Sequence, residues 1–161
     1  MSRRQLDPRW ISAERLSGWI TFAVFAAFWG AALPVAWLAG ALDPFWRALA
    51  LGGGAALAAL LVWLATAWPA ISYRHAWYAI DDSGIEIGRG VIFRRVTLVP
   101  RSRVQHTDVT QGPIERRFGL GTLVIHTAGT EFARVALPGL AHTTAMTLRD
   151  ALLPQDGADA V

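Results

Sequence analysis

The chain has 161 residues, of which 53% are hydrophobic and only 17% are charged, whereas about 25% of the residues in an ordinary soluble domain are charged. It contains no cysteine, which excludes disulfides and thiolate chemistry, and no lysine, so all 15 positive charges are arginine. The net charge of +3 does not by itself indicate a nucleic-acid partner, because arginine also sets the orientation of membrane helices. The composition therefore argues against a simple water-soluble globule.

Two long uncharged runs dominate the first half of the chain. Residues 16–42 form 27 consecutive uncharged positions and residues 48–73 form another 26, whereas about 20 apolar residues suffice for a helix to cross a bilayer. We predict a transmembrane hairpin over residues 16–73, with spans at about 18–42 and 48–70. Neither run carries an ionisable residue of the kind that ion paths use, which argues against a transporter or channel subunit but leaves that class as a third alternative.

The segments flanking the two runs predict the orientation of the hairpin. Residues 1–15 form a polar leader in which Trp10 and Ile11 stand among arginines, which predicts either a segment lying in the membrane interface or a solvated tail. Eight arginines lie near the outer ends of the spans and only Arg47 lies in the short connection. Because cationic flanks stay in the cytoplasm, we expect a multi-pass protein of the bacterial inner membrane with both termini cytoplasmic.

After residue 73 the pattern changes to short strand-like segments separated by turn residues. Six or so strands are predicted, at residues 75–80, 85–87, 91–99, 104–110, 123–127 and 131–137, with a hairpin turn at Ala128-Gly129. Ala141, Ala145, Leu148 and Leu152 then recur at helical spacing. We expect residues 74–154 to form a small, mainly-β barrel capped by this C-terminal helix, followed by a flexible tail at residues 155–161.

Several stretches of the chain match one family in order and with consistent spacing. They are WYAI at residues 77–80, GRGVI at 88–92, VPRSRVQHTDV at 99–109, QGPIERRFGL at 111–120 and IHTAG at 125–129. On these stretches the chain resembles the YdbS-like family of bacterial membrane-flanked domain proteins, whose soluble part is a bacterial pleckstrin-homology (PH) domain. The resemblance implies a PH-like split barrel with a C-terminal helix. It implies no reaction and no ligand, and it suggests a larger relative with several such domains as a partner.

The central motif of the domain predicts a structural corner, with a partner-docking surface as the alternative. Residues 114–118 read as a short helical turn, and Gly119 permits a backbone geometry closed to other residues. Gln105, Asp108 and Arg116 are expected to hydrogen-bond this corner into place. The full set of motif residues is Gln105, Asp108, Gln111, Gly112, Pro113, Arg116, Phe118 and Gly119.

The membrane-proximal part of the domain is its basic part, since residues 74–103 carry six arginines against three acidic residues. We hypothesise that some of these arginines face the anionic inner leaflet, with a solvated barrel face as the alternative. The candidates are Arg94, Arg95, Arg101 and Arg103. Nucleic acid is not expected, because the strands show no aromatic platform interleaved with these arginines.

The sequence points to no catalytic residue, metal site or cofactor. The four histidines are scattered without metal-ligand spacing, and neither a nucleophile elbow nor a nucleotide-binding glycine motif is present. We therefore predict a non-enzymatic membrane protein that presents a PH-like module for protein–protein assembly, with a protein partner or a second copy bound. The main alternative is an anionic-lipid-sensing module in membrane stress response.

Overall fold

A computed structural model of the chain describes residues 3–40, 43–128 and 134–152. The chain forms two compact units, a helical unit at Glu14–Ala70 and a β-rich unit made by the residues on either side of it. Pro154, the predicted tail at 155–161, Gly129 of the predicted hairpin turn and the start of the predicted strand at 131–133 lie outside the described residues.

Three helices occupy the first half of the chain. They are α1 (Arg9–Leu38), α2 (Pro44–Thr66) and α3 (Trp68–Arg74). Two helical stretches, Arg9–Leu38 and Pro44–Arg74, are long and apolar enough to cross a membrane. Both display exposed apolar side chains such as Phe28 and Leu51, as helices in contact with lipid do.

Close packing of α1 against α2 depends on small residues. A Cβ atom added to Gly18 would lie 2.8 Å from the Cα atom of Ala65, and one added to Gly54 would overlap the indole ring of Trp29. Glycine at these positions lets the two helices approach closely, which is the usual basis of helix association in a bilayer.

The β-rich unit contains two antiparallel sheets. The four-stranded sheet is ordered β1 (Arg4–Gln5), β2 (Trp77–Asp81), β3 (Gly84–Arg89) and β4 (Arg95–Pro100). The three-stranded sheet is ordered β5 (Val104–Thr110), β6 (Leu120–Thr127) and β7 (Arg134–Ala141). A short 3₁₀ turn at Arg101–Arg103 joins the sheets, α4 (Pro113–Phe118) follows β5, and α5 (His142–Leu152) follows β7.

A single apolar core fills the space between the sheets and α5. Side chains from both sheets are completely buried, among them Ile85 and Leu123, and α5 contributes Ala145, Leu148 and Leu152. The helical spacing predicted for these three residues is confirmed, whereas Ala141 ends β7 instead of facing the core from the helix. Two sheets closed by a C-terminal helix are the predicted PH-like fold.

The N-terminal leader is part of the β-rich unit, so the expectation of a solvated tail was wrong for residues 4–10. Arg4 and Gln5 form the edge strand β1, which pairs with β2, and Leu6 is buried in the core. The carbonyl of Leu6 accepts a hydrogen bond from the Tyr73 hydroxyl at 3.0 Å. Helix α1 then begins at Arg9, well before residue 15. A two-residue strand is too short to show an alternating pattern, and its partner is more than 70 residues away in the sequence.

Further contacts fix the leader to the three-stranded sheet. The amide of Asp7 donates to the carbonyl of Gly139 at 2.8 Å. A Cβ atom at Gly139, whose φ is +77°, would lie 2.8 Å from the indole ring of Trp10. The leader therefore joins both sheets, with β1 on one and this backbone contact on the other.

The strand predicted at residues 91–99 begins only at Arg95. Residues 91–93 form a bend instead, after Gly90 with a φ of +111°. A Cβ atom at Gly90 would overlap the carbonyl oxygen of Phe93. The apolar side chains of this segment suggested a strand, but the glycine conformation turns the chain away from the ladder.

Candidate functional site

The four arginines predicted to face lipid lie at opposite ends of β4. Arg94 and Arg95 stand where the strand begins, and Arg101 and Arg103 belong to the 3₁₀ turn that follows it. At about 3.3 Å per residue, Arg95 and Arg101 are about 20 Å apart along the chain. Arg101 also donates to the carbonyl of Ala151 on α5 at 2.5 Å. The four arginines thus form two separate pairs.

A cleft of about 270 Å³ opens at the end of β4 where Arg95 lies. Arg89 of β3 and Arg95 of β4 are direct cross-strand partners, and Arg134 begins β7. The Arg89 guanidinium donates to the carbonyl of Ala136, and its partial desolvation in the cleft lowers the pKa of Arg89 from its ordinary value. The lining residues, all within the described part of the chain, include no carboxylate: Ile87, Arg89, Arg95, Thr97, Arg134, Val135 and Ala136.

An exposed apolar surface runs along the same strand. Val96 and Leu98 are 55% and 58% exposed, and Ile92 and Phe93 in the preceding loop are 76% and 87% exposed. We call these four residues the β4 apolar surface. Among the described residues β4 has a strand neighbour on one side only, β3, so the surface adjoins an unpaired sheet edge, which is the kind of edge that binds other chains.

The corner motif is built around Gln111 and Glu115. The Gln111 amide donates to the carbonyl of Leu120 at 2.6 Å. Glu115 accepts from the Gly112 amide at 2.8 Å and from the Thr122 hydroxyl at 2.6 Å.

The helical turn of this corner has well-matched ends. Pro113 stands at the first position of α4, where its missing amide hydrogen costs nothing. Gly119 ends the helix in the left-handed conformation, with φ +66°. Half-buried Phe118 completes the turn, whereas Arg116 is exposed.

Asp108 belongs to another group. Its carboxylate lies 2.9 Å from Nε2 of His106 and 3.5 Å from Nε2 of His126, and Gln105 is exposed on the same strand. The sequence did not reveal this grouping because His126 comes from β6, across the sheet. Among the described residues no group of three or more acidic, histidine or cysteine side chains is arranged to hold a metal ion.

Sequence reasoning also missed Arg89 and Arg134. The two residues are 45 positions apart, on β3 and β7, and neither position is distinctive by itself. The signal available was the alternation of β3, in which Arg89 occupies the same side as Ile85 and Ile87.

Comparison with known proteins agrees with the fold. The family model "Bacterial PH domain" matches residues 16–156. The UPF0699 transmembrane protein YdbS of Bacillus subtilis (strain 168) is 30% identical over 118 residues, which cover 72% of this chain and 64% of that protein. The chain thus spans less than two thirds of the length of this relative. No solved structure gave a significant match.

The matched residues include the PH-like core, and the two apolar helices agree with the transmembrane name of the relative. The chain belongs to the bacterial PH domain family and is a YdbS-like member of it.

Proposed function

We propose that the chain is a non-enzymatic inner-membrane protein whose two spans hold the PH-like domain at the cytoplasmic face, where it docks onto a second protein. The two long apolar helices and the transmembrane name of the relative support the membrane assignment. The arginine bias of eight to one across the predicted spans supports cytoplasmic termini.

The β4 apolar surface carries the docking proposal. Large apolar side chains that project together from one strand and its loop are unusual on a water-exposed face and are typical of interaction sites. Val96 and Leu98 lie on the outer side of the strand, since the intervening Thr97 and the following Val99 turn inward. Their exposure therefore serves neither the core nor the strand pairing of this domain.

The positive charge around the β4 apolar surface determines which kind of partner can bind there. From Ile87 to Thr107 the sequence contains five arginines and no acidic residue. Two copies of β4 pairing with each other would bring these arginines together, which is unfavourable. The partner is therefore a different protein that presents an extended apolar segment with acidic flanks, and the larger relative with several PH-like domains is the partner that the family resemblance suggests.

A photo-cross-linking residue placed at Leu98 in the full-length membrane protein tests this proposal. We expect a discrete adduct with a second protein in intact membranes, and we expect the cross-linked peptide to be apolar with acidic flanks. The matched control places the same residue at Thr147, which is exposed on α5. An adduct only with a second copy of the chain, or equal adduct yields at both positions, would contradict the proposal.

The double substitution Val96→Ser and Leu98→Ser supplies an independent readout. We expect adduct formation from a cross-linker at Phe93 to fall about tenfold or more, since two central apolar contacts typically contribute at least 1.4 kcal/mol to binding. Thermal unfolding should change little, because both side chains are exposed. An unchanged adduct yield would show that these two side chains do not bind the partner.

An anionic-lipid-sensing module is a second candidate. The observation that favours it is the position of Ile92 and Phe93 beside Arg94 and Arg95, an apolar tip flanked by cations of the kind that binds anionic bilayers. The pair at the other end of β4, Arg101 and Arg103, is about 20 Å distant along the chain, so we expect only the first pair to act with the tip.

Because the chain has no native cysteine, a single Phe93→Cys variant can carry an environment-sensitive dye. We expect a blue shift in nanodiscs that contain phosphatidylglycerol relative to neutral nanodiscs, abolished by Arg94→Ser with Arg95→Ser but retained with Arg101→Ser and Arg103→Ser. A dye at Thr147→Cys is the control. Equal spectra in both lipid compositions would reject the lipid-sensing candidate.

A further inference from the structure

The cleft between the two sheets places cations where the fold elsewhere places core residues. On β3 the inward row Ile85 and Ile87 continues to Arg89, and on β4 the inward row Val99 and Thr97 continues to Arg95. Both rows reach the solvent at the rim of the cleft, where Arg89 and Arg95 are exposed, as arginine usually is. Here both rows end in arginine.

The two arginines are also direct partners in the β3–β4 ladder. Like charges at directly opposite positions destabilise a sheet. Arg134, at the start of β7, adds a third positive charge to the same cleft, and none of the described lining residues is acidic. The arrangement is therefore electrostatically unfavourable as long as nothing negative lies between the three side chains.

We propose that Arg89, Arg95 and Arg134 form a binding site for a phosphate-type oxyanion. Arginine offers planar pairs of N–H donors that match two oxygens of a phosphate. Arg89 is held in place by its hydrogen bond to the Ala136 carbonyl on β7, which orients it across the cleft. A volume of about 270 Å³ accommodates a phosphate group together with part of what it is attached to.

Neighbouring cations extend the positive field around the cleft. A second, adjoining cleft of about 180 Å³ shares Arg89 and Arg95 and is also lined by Arg74 and Arg94. Such a concentration of one charge raises the local concentration of anions. The same phosphate chemistry is offered by free phosphate and by a phospholipid headgroup, so the experiment distinguishes these two sources.

The test uses the full-length protein in neutral phosphatidylcholine nanodiscs and follows thermal unfolding by tryptophan fluorescence. In the first arm, inorganic phosphate is titrated against chloride at equal ionic strength. In the second arm, phosphate is omitted and part of the lipid is replaced by phosphatidate. We expect a rise in Tm in at least one arm, because a ligand that binds the folded state stabilises it. A rise in the first arm assigns free phosphate as a source, and a rise in the second arm alone assigns the lipid headgroup.

Two variants test whether the rise in Tm comes from binding in the cleft. Arg134→Gln removes an exposed side chain and should weaken the apparent affinity for the anion about tenfold or more. Arg134→Lys keeps the positive charge and should retain part of this affinity. The matched control is Arg117→Gln, which removes another exposed arginine, on α4 and outside the cleft. No rise in either arm, or equal losses in Arg134→Gln and Arg117→Gln, would overturn the proposal.

Arg95→Gln gives a result that a purely structural arginine would not give. Without phosphate or anionic lipid, relief of the Arg89–Arg95 repulsion should raise Tm by about 1–4 °C. With saturating anion, the same variant should be less stable than the unsubstituted protein. A lower Tm under both conditions would contradict an anion site at this pair. The Val96→Ser and Leu98→Ser variant leaves Arg89, Arg95 and Arg134 intact, so failure of the docking proposal and failure of the anion site can be distinguished.

Discussion

The two sheets of the β-rich unit share one core but differ in their outer faces. The outer side of β4 in the four-stranded sheet carries Val96 and Leu98, which are apolar and exposed. On the three-stranded sheet the outer side carries polar groups instead: Nε2 of exposed His106 lies 2.9 Å from the carboxylate of partly exposed Asp108. Folding requires only that the inner rows be apolar, so the outer rows are free to serve binding. This difference is the basis of our proposal that the four-stranded sheet, and not the three-stranded one, binds a partner.

The largest expected effect is the difference in unfolding free energy between replacing a buried leucine and replacing an exposed one. Leu123→Ala, at a completely buried position of the three-stranded sheet, should lower the free energy of unfolding by about 2–5 kcal/mol through lost burial and a residual cavity. Leu98→Ala should change it by about 0.5 kcal/mol or less. Denaturant unfolding of the detergent-solubilised protein measures both. A loss at Leu98 close to that at Leu123 would mean that the outer face is part of the core.

An intermediate effect concerns the polar contacts beside the three-stranded sheet. Glu115→Ala should cost about 1–2 kcal/mol, because the Gly112 amide and the Thr122 hydroxyl both lose their acceptor. Asp108→Ala removes a carboxylate whose side chain is 48% exposed and should cost about 0.5 kcal/mol or less. Equal losses in thermal or denaturant unfolding would mean that the histidine–aspartate group also holds the corner.

The smallest effect tests the leader that joins the two sheets. The Arg9 guanidinium donates to the carboxylate of Asp7 and holds the pKa of this carboxyl below its ordinary value. A lowered pKa in the folded state contributes stability above the unfolded pKa, and the contribution is lost as the pH falls through the folded one. Asp7→Asn should therefore cost about 1 kcal/mol or less at pH 7.

The pH dependence of Asp7→Asn is the sharper measurement. Its deficit in stability should begin to shrink as the pH falls below about 4, where the carboxyl binds a proton in the unfolded state, and should continue to shrink as the pH falls through the lower pKa of the folded state. Unfolding curves collected from pH 7 to pH 3 measure the difference. A deficit that is constant over this range would show that the ion pair to Arg9 is not its cause.

Much of the architecture could be predicted from local patterns. The uncharged runs predict the two long helices, the strand predicted at residues 104–110 coincides with β5, and the helical turn predicted at 114–118 begins only one residue earlier, at Pro113. In each of these cases the signal is local. The spacing of the apolar side chains, the length of an uncharged run or a turn residue is found within the element itself or a few positions from it. Such signals do not depend on distant parts of the chain.

Some features that escaped prediction depend on distant partners, and others depend on which of several nearby polar groups make contact in the folded domain. Strand β1 exists because Arg4 and Gln5 meet β2 across more than 70 residues of sequence. Gln105, Asp108 and Arg116 were expected to fix the corner, but the contacts that the structure shows there come from Gln111 and Glu115. Several polar side chains lie near this turn in the sequence, and the local sequence does not distinguish between them. Their positions in the folded domain decide which of them reaches a hydrogen-bond partner.

The sequence by itself determined that two apolar helices precede a small β-rich domain closed by a helix, because hydrophobic period and charge distribution are local properties. Only the tertiary structure decided that the predicted arginines divide into two pairs and that Arg89 and Arg134 join Arg95 in one cleft. The physical reason is that strand pairing and sheet packing bring together charges from β3, β4 and β7, whose mutual energy depends on distance in space and not on separation along the chain.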